Sequence, residues 1–463
     1  MTTRFVDPLP AHALVAVLGY GASGRAATNL LRAMDKRVWV SDRQGAPDRE
    51  DPGVVFRFGE NSVGDASVAI LSPGLNPEWP ENANNPALAQ LWARVEAGEL
   101  RLMSEVELGL RAFGRPWIGI GGTDGKSTTA AMTHHLALAF GERTALGGNS
   151  WEAFSAVALE ADAATTLAVA EVSAFQLHRP HGMKPKVAIL TNIARDHLDH
   201  YASFDDYVRA KEALFMNQAE GDWAVLNADD PVARDLGLRL EVRGVGVAWF
   251  ANGDAQGAFA AGERGDELVL RFQGQEITAP FSALSLAGAH NRRNALAASL
   301  ALTLALGRLP DADAWRARLG NFKGLPHRVA FVREHRGVRY FNDSKATNVH
   351  AACIGIHAMD RPTVAIVGGV DKRLDLAPLF EALAARTHTI VAIGELREGL
   401  RALCPSSIAF VEAESMDAAV SAAASAARSG DAVLLAPASS SFDMFKSFEH
   451  RGELFEAAVR ALS

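Results

Sequence analysis

The chain has 463 residues, of which 48% are hydrophobic and 22% are charged. These values exclude a disordered chain and predict roughly two or three globular domains, because one hydrophobic core rarely serves so long a sequence. A net charge of −8, without a basic stripe interleaved with aromatic residues, excludes nucleic acid as the main partner.

Two further observations bear on the compartment. No apolar run approaches the roughly 18 residues that span a bilayer, and the N-terminal sequence lacks a leader pattern, so no membrane association is expected. The two cysteines, Cys353 and Cys404, suggest neither a disulfide framework nor a thiolate metal site. We predict inert thiols and a cytoplasmic protein.

The first predicted elements form a strand–helix–strand unit. Leu14–Leu18 is predicted as a buried strand, a turn with three glycines follows from Gly19 to Gly24, and a helix continues to about Met34. A second strand ends at Asp42. This glycine spacing with an acidic residue after the second strand is typical of Rossmann-like nucleotide-binding domains. The pattern alone does not decide between NAD and another nucleotide.

A second block contains the most informative segment of the chain. The apolar strand Trp117–Ile120 precedes a glycine-rich loop that ends in Gly125-Lys126-Ser127, and a helical run follows over Ala130–Phe140. In such a loop backbone N–H groups surround a phosphate, the lysine reaches the β- and γ-phosphates, and the serine hydroxyl binds Mg²⁺. The spacing is irregular, because the usual pattern has glycine at the position of Ile120. A chance glycine-rich turn is the alternative to a nucleoside triphosphate site.

Ionisable side chains follow the next two predicted strands. Glu171 ends the strand Thr166–Glu171, where phosphate-loop enzymes place a metal contact, although a solvated carboxylate would have the same spacing. His197 follows the strand Val187–Asn192 within a polar cluster, which favours a metal or ligand contact over a structural histidine.

A third block of alternating strands and helices begins near Gly324. Before it, a small β excursion over residues 251–274 and a helix from about Asn291 to Leu306 are predicted. The third block is predicted to contain the strands Arg339–Phe341, Thr363–Val367, Thr389–Ile393 and Ala432–Ala436 and a helix over Ala418–Ala427.

This alternation predicts an α/β protein of three domains. A Rossmann-like domain is expected over residues 1–104, a central phosphate-loop ATPase-like domain over 105–323 and a second Rossmann-like domain over 324–463. Hinges are predicted near Met103–Ser104 and Asn321–Pro326.

Several segments occur in the order found in the Mur ligases. Besides the phosphate loop they are Glu171–Leu177, Asp196–Asp199, Tyr207–Lys211, His290–Asn294, Gly324–Arg328, Asn342–Asn348 and Ala436–Phe445. The resemblance covers essentially the whole chain. Asn342–Asn348 discriminates best, because members that add diaminopimelate or lysine, and folylpolyglutamate synthases, carry a different segment there. Within the family, the chain resembles the members that add D-glutamate to UDP-N-acetylmuramoyl-L-alanine.

The resemblance implies an ATP-dependent, amide-forming ligase of peptidoglycan precursor synthesis, monomeric and using two Mg²⁺ ions. The precursor carboxylate would attack the γ-phosphate of ATP, and the amine of D-glutamate would displace phosphate from the acyl phosphate. Lys126 and one Mg²⁺ on Ser127 would neutralise the phosphates, and Glu171, His197 and Lys211 would surround the second ion. A lysine cation cannot bind a metal, and in the family the lysine at this position is carbamylated. A carbamate is therefore expected on Lys211. The alternative is an unmodified lysine on the surface of a helix.

Other roles carry over by position. ATP contacts are expected from Gly122, Thr123, Asp124, Gly125, Lys126, Ser127, Thr128, Asn291, Asn294, Arg328 and Asp343. Contacts to the precursor are expected from Ala22, Ser23, Asp42, Arg43, Asn149, Ser173 and His197, of which Asn149 also counts as catalytic. Contacts to D-glutamate are expected from Lys345, Thr347, Lys372, Ser441, Phe442 and Phe448. Two cations with hydroxyl donors suit a dicarboxylate.

Some positions depart from the family pattern. Asp124 replaces a neutral residue and adds negative charge beside the phosphates, and Gly368–Lys372 and Ser439–Ser441 differ from the usual segments. A related ligase with another amino-acid specificity is therefore the alternative. An NAD-dependent oxidoreductase with a regulatory ATP-binding domain is a second alternative, but it would leave the segment Asn342–Asn348 unexplained. A nucleotide-gated scaffold would bind ATP without amino-acid-dependent phosphate release.

Overall fold

The structure is a computed structural model that describes residues 6–11, 13–45, 51–75, 82, 85–177, 182–196, 200–286, 288–371 and 375–462. The chain divides into two compact units, Met1–Lys323 and Gly324–Ser463. Within the ranges above, no helix combines the length and the apolar character that crossing a membrane requires.

The first sheet of the larger unit is parallel. Its strands are β1 (Leu14–Leu18), β2 (Arg37–Asp42), β3 (Val54–Phe58), β4 (Val68–Leu71) and β5 (Arg101–Ser104). They lie in the order β3-β2-β1-β4-β5. The accompanying helices are α1 (Ala22–Ala33), α2 (Pro86–Glu96) and α3 (Glu105–Phe113). Val15 and Val17 of β1 share one buried cluster with Leu30 and Leu31 of α1. The predicted strand–helix–strand unit is confirmed, because β1 and β2 pair in parallel on either side of α1 in sequence.

The second sheet of this unit has nine strands in the described ranges. They are β6 (Trp117–Gly121), β7 (Thr144–Gly148), β8 (Leu167–Glu171), β9 (Val187–Leu190), β10 (Trp223–Asn227), β11 (Gly246–Phe250), β12 (Phe259–Arg264), β13 (Glu267–Phe272) and β14 (Gln275–Pro280). Their order is β14-β13-β12-β11-β10-β9-β6-β8-β7. The last three strands form an antiparallel meander and the others pair in parallel. The carboxyl ends of β6, β8 and β9 therefore meet at one edge.

Six helices accompany the second sheet in the part of the chain described. They are α4 (Lys126–Leu136), α5 (Phe154–Glu160), α6 (Phe204–Glu212), α7 (Pro231–Val242), α8 (Ala289–Leu306) and α9 (Ala312–Asn321). Helix α8 is buried continuously from Asn294 to Leu304, because it packs against both α4 and the sheet. An alanine-rich helix suits this position, since small side chains allow close approach on every side.

The smaller unit contains one mixed sheet. Its strands are β15 (Ala330–His335), β16 (Val338–Asn342), β17 (Thr363–Gly368), β18 (Thr387–Ile393), β19 (Ala409–Glu412) and β20 (Ala432–Leu435). Their order is β15-β16-β20-β17-β18-β19, in which only β15 is antiparallel to its neighbour. The helices are α10 (Val349–His357), α11 (Ala377–Ala384), α12 (Arg397–Leu403), α13 (Met416–Ala426) and α14 (Phe448–Ala461). The loops that follow β16, β20 and β17 thus emerge side by side.

The α/β class with three sheets is confirmed, and the differences are local. The strand predicted over Val187–Asn192 ends at Leu190, because the next two side chains turn to the phosphate loop. The β excursion continues to Pro280. Ser104 ends β5 and caps α3 through Glu107 N, so the predicted hinge there falls in a compact strand-to-helix turn. The division into three domains at residues 104 and 323 stays a prediction.

Both cysteines carry free thiols. Cys353 and Cys404 are half-buried rather than fully enclosed in the core. Burial raises the pKa of each thiol above its ordinary value, which disfavours the reactive thiolate.

Candidate active site

The phosphate loop lies between the end of β6 and the start of α4. Gly122 and Gly125 have φ angles of +130° and +78°, which side-chain-bearing residues rarely adopt. A Cβ atom on Gly125 would lie 2.6 Å from Asn294 Oδ1, and one on Gly122 would overlap Thr191 Oγ1. Helix α4 begins at this loop, and its N-cap residue Gly125 has no side chain to cap the helix, so the amide N–H groups of the first turn face the loop. This is the geometry of an anion site.

Two residues that follow β9 hold this loop. Asn192 Oδ1 accepts a hydrogen bond from Asp124 N at 3.0 Å, and Asn192 Nδ2 donates to Asp124 O at 3.1 Å. Thr191 Oγ1 donates to the same carbonyl at 2.6 Å, and Thr123 N donates to Asn192 O at 2.9 Å. Neither Thr191 nor Asn192 was assigned a role from the sequence. The available signal was their place directly after an apolar strand that pairs with β6.

The loop's own side chains are partly engaged. Lys126 Nζ donates to Thr123 O at 2.7 Å, which keeps the ammonium against the loop. Ser127 is buried, whereas Asp124 and Thr128 are half-buried. Thr123 Oγ1 lies 3.2 Å from Tyr207 Oη and accepts from Ala194 N at 3.0 Å. The loop is therefore braced from both α6 and the segment after β9.

Glu171 lies at the carboxyl end of β8 with 1% of its surface exposed. Its Oε1 atom accepts hydrogen bonds from Asn149 Nδ2 at 3.1 Å and Ser150 Oγ at 3.0 Å. Its Oε2 atom is buried and has no hydrogen-bond partner among the described residues. A carboxylate oxygen can accept a hydrogen bond or bind a metal ion, but it cannot donate. The unpaired, buried Oε2 atom of Glu171 therefore suits a cation such as Mg²⁺. Ser150, which adjoins the predicted Asn149, was not found from the sequence.

Lys211 reaches the phosphate loop from α6. Only 4% of it is exposed, its Nζ atom donates to Gly122 O at 2.6 Å, and the ammonium lies 4.4 Å from the centre of the Tyr207 ring. Burial lowers the pKa of Lys211 well below 10.5, and repulsion from Lys126 lowers it further. Asp196 and Asp124 oppose this shift. The structure thus places the Lys211 side chain against the phosphate loop.

One of the predicted metal ligands, His197, lies outside the described residues. Among the residues that are described, no cluster of three or more His, Cys, Asp or Glu side chains could hold a metal.

The two asparagines predicted near the adenine lie at the start of α8. Asn294 is buried, and its Oδ1 accepts a hydrogen bond from Thr129 Oγ1 at 3.2 Å, so its side chain links α8 to α4. Asn291 is half-buried in the first turn, where its N–H donates to Gly288 O.

The residues predicted to contact the precursor lie in two places. Ala22 and Ser23 begin α1, and Asp42 at the end of β2 accepts hydrogen bonds from Tyr20 N at 2.6 Å and Gln44 N. Arg43 is exposed beside Asp42. The Asp42 carboxylate therefore fixes the glycine turn.

Ser173 follows β8 in the second sheet. Both its N–H and its hydroxyl donate to Gln176 Oε1, at 3.0 Å and 3.1 Å. The side chain lies within three residues of the Glu171 carboxylate in the chain, next to the phosphate-loop edge of the sheet.

In the smaller unit, Asp343 follows β16 and is buried. Its Oδ1 accepts a hydrogen bond from Val329 N at 3.1 Å. Burial raises the pKa of this carboxyl from 3.8 to about 8, although the Val329 hydrogen bond and the nearby Arg328 charge oppose the shift. Arg328 itself is half-buried.

Of the predicted D-glutamate residues, Lys345 and Thr347 lie on the loop that follows β16, Ser441 and Phe442 lie on the loop that follows β20, and Phe448 begins α14. Lys345 Nζ sits 3.9 Å from the centre of the Phe448 ring, Thr347 is half-buried and Ser441 is buried. Phe442 is 75% exposed, which is unusual for a large apolar side chain. Lys372 lies outside the described residues.

Arg451 ties these loops together and was not found from the sequence. It is fully buried in α14 and donates to Ser344 Oγ at 3.0 Å, Ser344 O at 2.9 Å and Ser439 O at 3.0 Å. Ser439 Oγ in turn donates to Val370 O at 2.6 Å. Burial lowers the pKa of Arg451 from 12.5 to about 10, which Asp443 opposes. An arginine in a helix gives no sequence signal of such a contact.

Comparison with known proteins identifies the family. The Mur ligase middle domain matches residues 120–302, and the Mur ligase glutamate ligase domain matches residues 327–439. The chain belongs to the Mur ligase family.

Among its relatives is the UDP-N-acetylmuramoylalanine--D-glutamate ligase of Geobacter metallireducens, which is 36% identical over 97% of each chain. The fold is similar to that of UDP-N-acetylmuramate-alanine ligase MurC from Thermotoga maritima, with a TM-score of 0.57, 18% identity and coverage of 97% of this chain and 100% of that one. It is also similar to Mycobacterium tuberculosis folylpolyglutamate synthase complexed with ADP, with a TM-score of 0.59, 20% identity and coverage of 76% and 93%.

Proposed function

We propose that the chain is an ATP-dependent ligase that adds D-glutamate to UDP-N-acetylmuramoyl-L-alanine. The observation that carries this proposal is the phosphate loop after β6, which lies beside a buried Glu171 oxygen that lacks a hydrogen-bond partner among the described residues. The name of the Geobacter relative supports the two substrates. The ADP complex of the folylpolyglutamate synthase supports nucleotide binding by this fold.

The chemistry requires two anions to meet. The precursor carboxylate attacks the γ-phosphate of ATP, so that a carbon–oxygen–phosphorus link forms and ADP leaves. The D-glutamate amine then attacks the acyl carbon, the link to phosphate breaks, and the amine loses a proton as the amide forms. Neutralising charge is the main catalytic demand. Lys126 and the N–H groups at the start of α4 are the groups proposed to meet it at the phosphates.

The residues present fit Mg²⁺. Ser127 would hold one ion at the phosphates, and Glu171 with His197 and Lys211 would hold the second. When bound, these ions neutralise the phosphate and carboxylate oxygens that must approach each other. Asn149 and Ser150 act on Glu171 directly, because their hydrogen bonds fix its Oε1 atom and leave Oε2 for the metal.

Lys211 is proposed to bind as a carbamate. Its amine is buried, and burial together with repulsion from the Lys126 ammonium favours the neutral form. A neutral amine reacts with CO₂, forming a nitrogen–carbon bond and releasing one proton, and the product carries a negative charge in place of a positive one. Incubation with ¹³C-bicarbonate should give one Mg²⁺-dependent carbamate signal by NMR. Lys211→Arg, which keeps a buried cation, should lack it; the same signal in both proteins would contradict the assignment.

The remaining contacts are also proposals. ATP is assigned to Gly122, Thr123, Asp124, Gly125, Thr128, Asn291, Asn294, Arg328 and Asp343 in addition to the residues above. The precursor is assigned to Ala22, Ser23, Asp42, Arg43, Asn149, Ser173 and His197. D-Glutamate is assigned to Lys345, Thr347, Lys372, Ser441, Phe442 and Phe448. We also propose that the protein is a cytoplasmic monomer with three domains, over residues 1–104, 105–323 and 324–463.

The function is tested by phosphate release from ATP in the presence of UDP-N-acetylmuramoyl-L-alanine and a panel of amino acids. D-Glutamate should give turnover, whereas D-glutamine should be poor, because it leaves a site for two carboxylates partly unneutralised. Equal kcat/KM values for the two would contradict the pocket assignment. Turnover with a different acidic amino acid would favour a ligase of altered specificity, and NADH-linked absorbance changes would favour an oxidoreductase.

A further inference from the structure

A small basic cavity lies at the amino-terminal edge of the nine-stranded sheet. Its volume is about 250 Å³, and its charged lining residues are Glu107, Arg111, Arg115, Lys184, Lys186 and Asp222. Trp117, which lines the cavity, is the first residue of β6, whereas the phosphate loop follows the last residue of that strand. Five residues of strand span about 15 Å, so the cavity is distinct from the candidate active site.

Two of the four cations are neutralised within the cavity wall. Arg111 Nη1 lies 3.3 Å from Glu107 Oε1, one helical turn away on α3. Lys184 Nζ lies 3.3 Å from Asp222 Oδ2. These pairs contribute no net charge.

The other two cations are not neutralised by any carboxylate in the described part of the chain. Arg115 donates to the backbone carbonyls of Asp162, at 2.7 Å, and Thr165. Lys186 Nζ donates to the backbone carbonyl of Gly221. A carbonyl oxygen orients a cation but carries no net charge, so the cavity keeps about two positive charges and favours an anion.

Glu107 adds a second requirement. It is 1% exposed, and its Oε1 atom accepts a hydrogen bond from Gly182 N at 2.7 Å. Its Oε2 atom is buried without a hydrogen-bond partner in the described ranges. A buried acceptor left in this way is destabilising, and a ligand that brings a donor would remove that cost. Cations alone would accept any anion, whereas Glu107 favours one that carries a proton.

We propose that this cavity binds a small oxyanion that also carries an O–H group, as hydrogen phosphate does. Arg115 and Lys186 contact the negative oxygens, and Glu107 accepts the hydrogen bond of the protonated one. The site needs neither ATP nor the precursor.

Arsenate and selenate test this assignment, because they match in charge, shape and anomalous scattering. At about pH 8 arsenate keeps one proton and selenate keeps none, so the two anions differ in the group that Glu107 is proposed to recognise. Crystals of the full chain are equilibrated with increasing concentrations of either anion. An arsenate peak is expected in the cavity, with selenate at least about tenfold weaker, the effect of one lost charge-assisted hydrogen bond.

Variants separate the two requirements. Glu107→Gln keeps an acceptor for Gly182 N and gains an N–H donor, so arsenate and selenate should then bind alike. Arg115→Gln and, independently, Lys186→Gln should each weaken both anions, whereas Arg264→Gln removes one exposed, ion-paired charge elsewhere and should change neither. An empty cavity at arsenate concentrations that fill the phosphate loop would overturn the proposal. Equal wild-type occupancy by the two anions would overturn it as well, because it would reveal an adventitious ion only.

Discussion

Replacing Arg451 by methionine should destabilise the smaller unit and misplace its loops together. Methionine has similar length and suits helix α14, so the change removes the guanidinium rather than the packing. Ser344 O and Ser439 O then lose the hydrogen bonds that Arg451 donates. Ser344 Oγ keeps its own bond to Phe448 O.

The size of the effect follows from two opposing terms. Two buried carbonyls without donors cost about 2–6 kcal/mol together. Removing a buried charge relieves part of its desolvation, which is the main cause of the lowered Arg451 pKa. We therefore expect a loss of roughly 2–3 kcal/mol in the free energy of unfolding, measured by urea denaturation.

Activity supplies a second readout, which a purely structural role would not change selectively. Because Arg451 joins the loops that carry the proposed D-glutamate residues, the KM for D-glutamate should rise by up to about 10²-fold under conditions where the variant is folded. The KM for the precursor should change far less. Arg460→Met is the matched control on α14, since Arg460 is exposed and pairs only at the surface with Glu456. It should cost about 0.5 kcal/mol or less. An Arg451→Met protein that unfolds at the wild-type urea concentration would refute the reasoning.

Three further outcomes are expected. Lys126→Ala should lower phosphate release by at least about 10²–10³-fold and leave the urea midpoint unchanged, because the ammonium is needed at the phosphates; near-normal release by the folded variant would exclude this role. Ser150→Ala should raise the Mg²⁺ concentration for half-maximal activity by about tenfold, because Glu171 loses one of its orienting hydrogen bonds; an unchanged Mg²⁺ titration would argue against a metal at Glu171. The folded-state pKa of Asp343 is raised from 3.8 to about 8, so the folded state holds a proton that the unfolded chain has released. Stability should therefore fall as pH rises between about 4 and 8, by up to about 1.4 kcal/mol per pH unit, and Asp343→Asn should flatten that slope.

The sequence was sufficient for the fold class and for the phosphate loop because both depend on local pattern. Apolar runs ending at Leu18, Gly121 and Glu171 mark buried parallel strands, and their polar ends mark the edge where ligands bind. The glycines at 122 and 125 are required by backbone angles that the neighbouring residues impose.

Side-chain supports could not be predicted in the same way. Thr191, Asn192 and Ser150 act through hydrogen bonds to residues distant in sequence, and Arg451 contacts a serine 107 positions away. Such contacts depend on which strands become neighbours, and no local spacing encodes that order. The basic cavity has the same origin, since Glu107 and Lys186 meet only after α3 and β9 pack in one unit.

The most direct test of the proposed reaction follows the transfer of oxygen from the precursor carboxylate to the released phosphate. UDP-N-acetylmuramoyl-L-alanine labelled with ¹⁸O in its alanyl carboxylate is incubated with ATP, Mg²⁺ and D-glutamate, and the phosphate formed is analysed by ³¹P NMR. Attack of the carboxylate on the γ-phosphate transfers one labelled oxygen to each phosphate, so we expect one ¹⁸O per phosphate released. Without D-glutamate turnover stops, and no labelled phosphate is expected. Phosphate that forms with D-glutamate present but carries no ¹⁸O would contradict the acyl phosphate route.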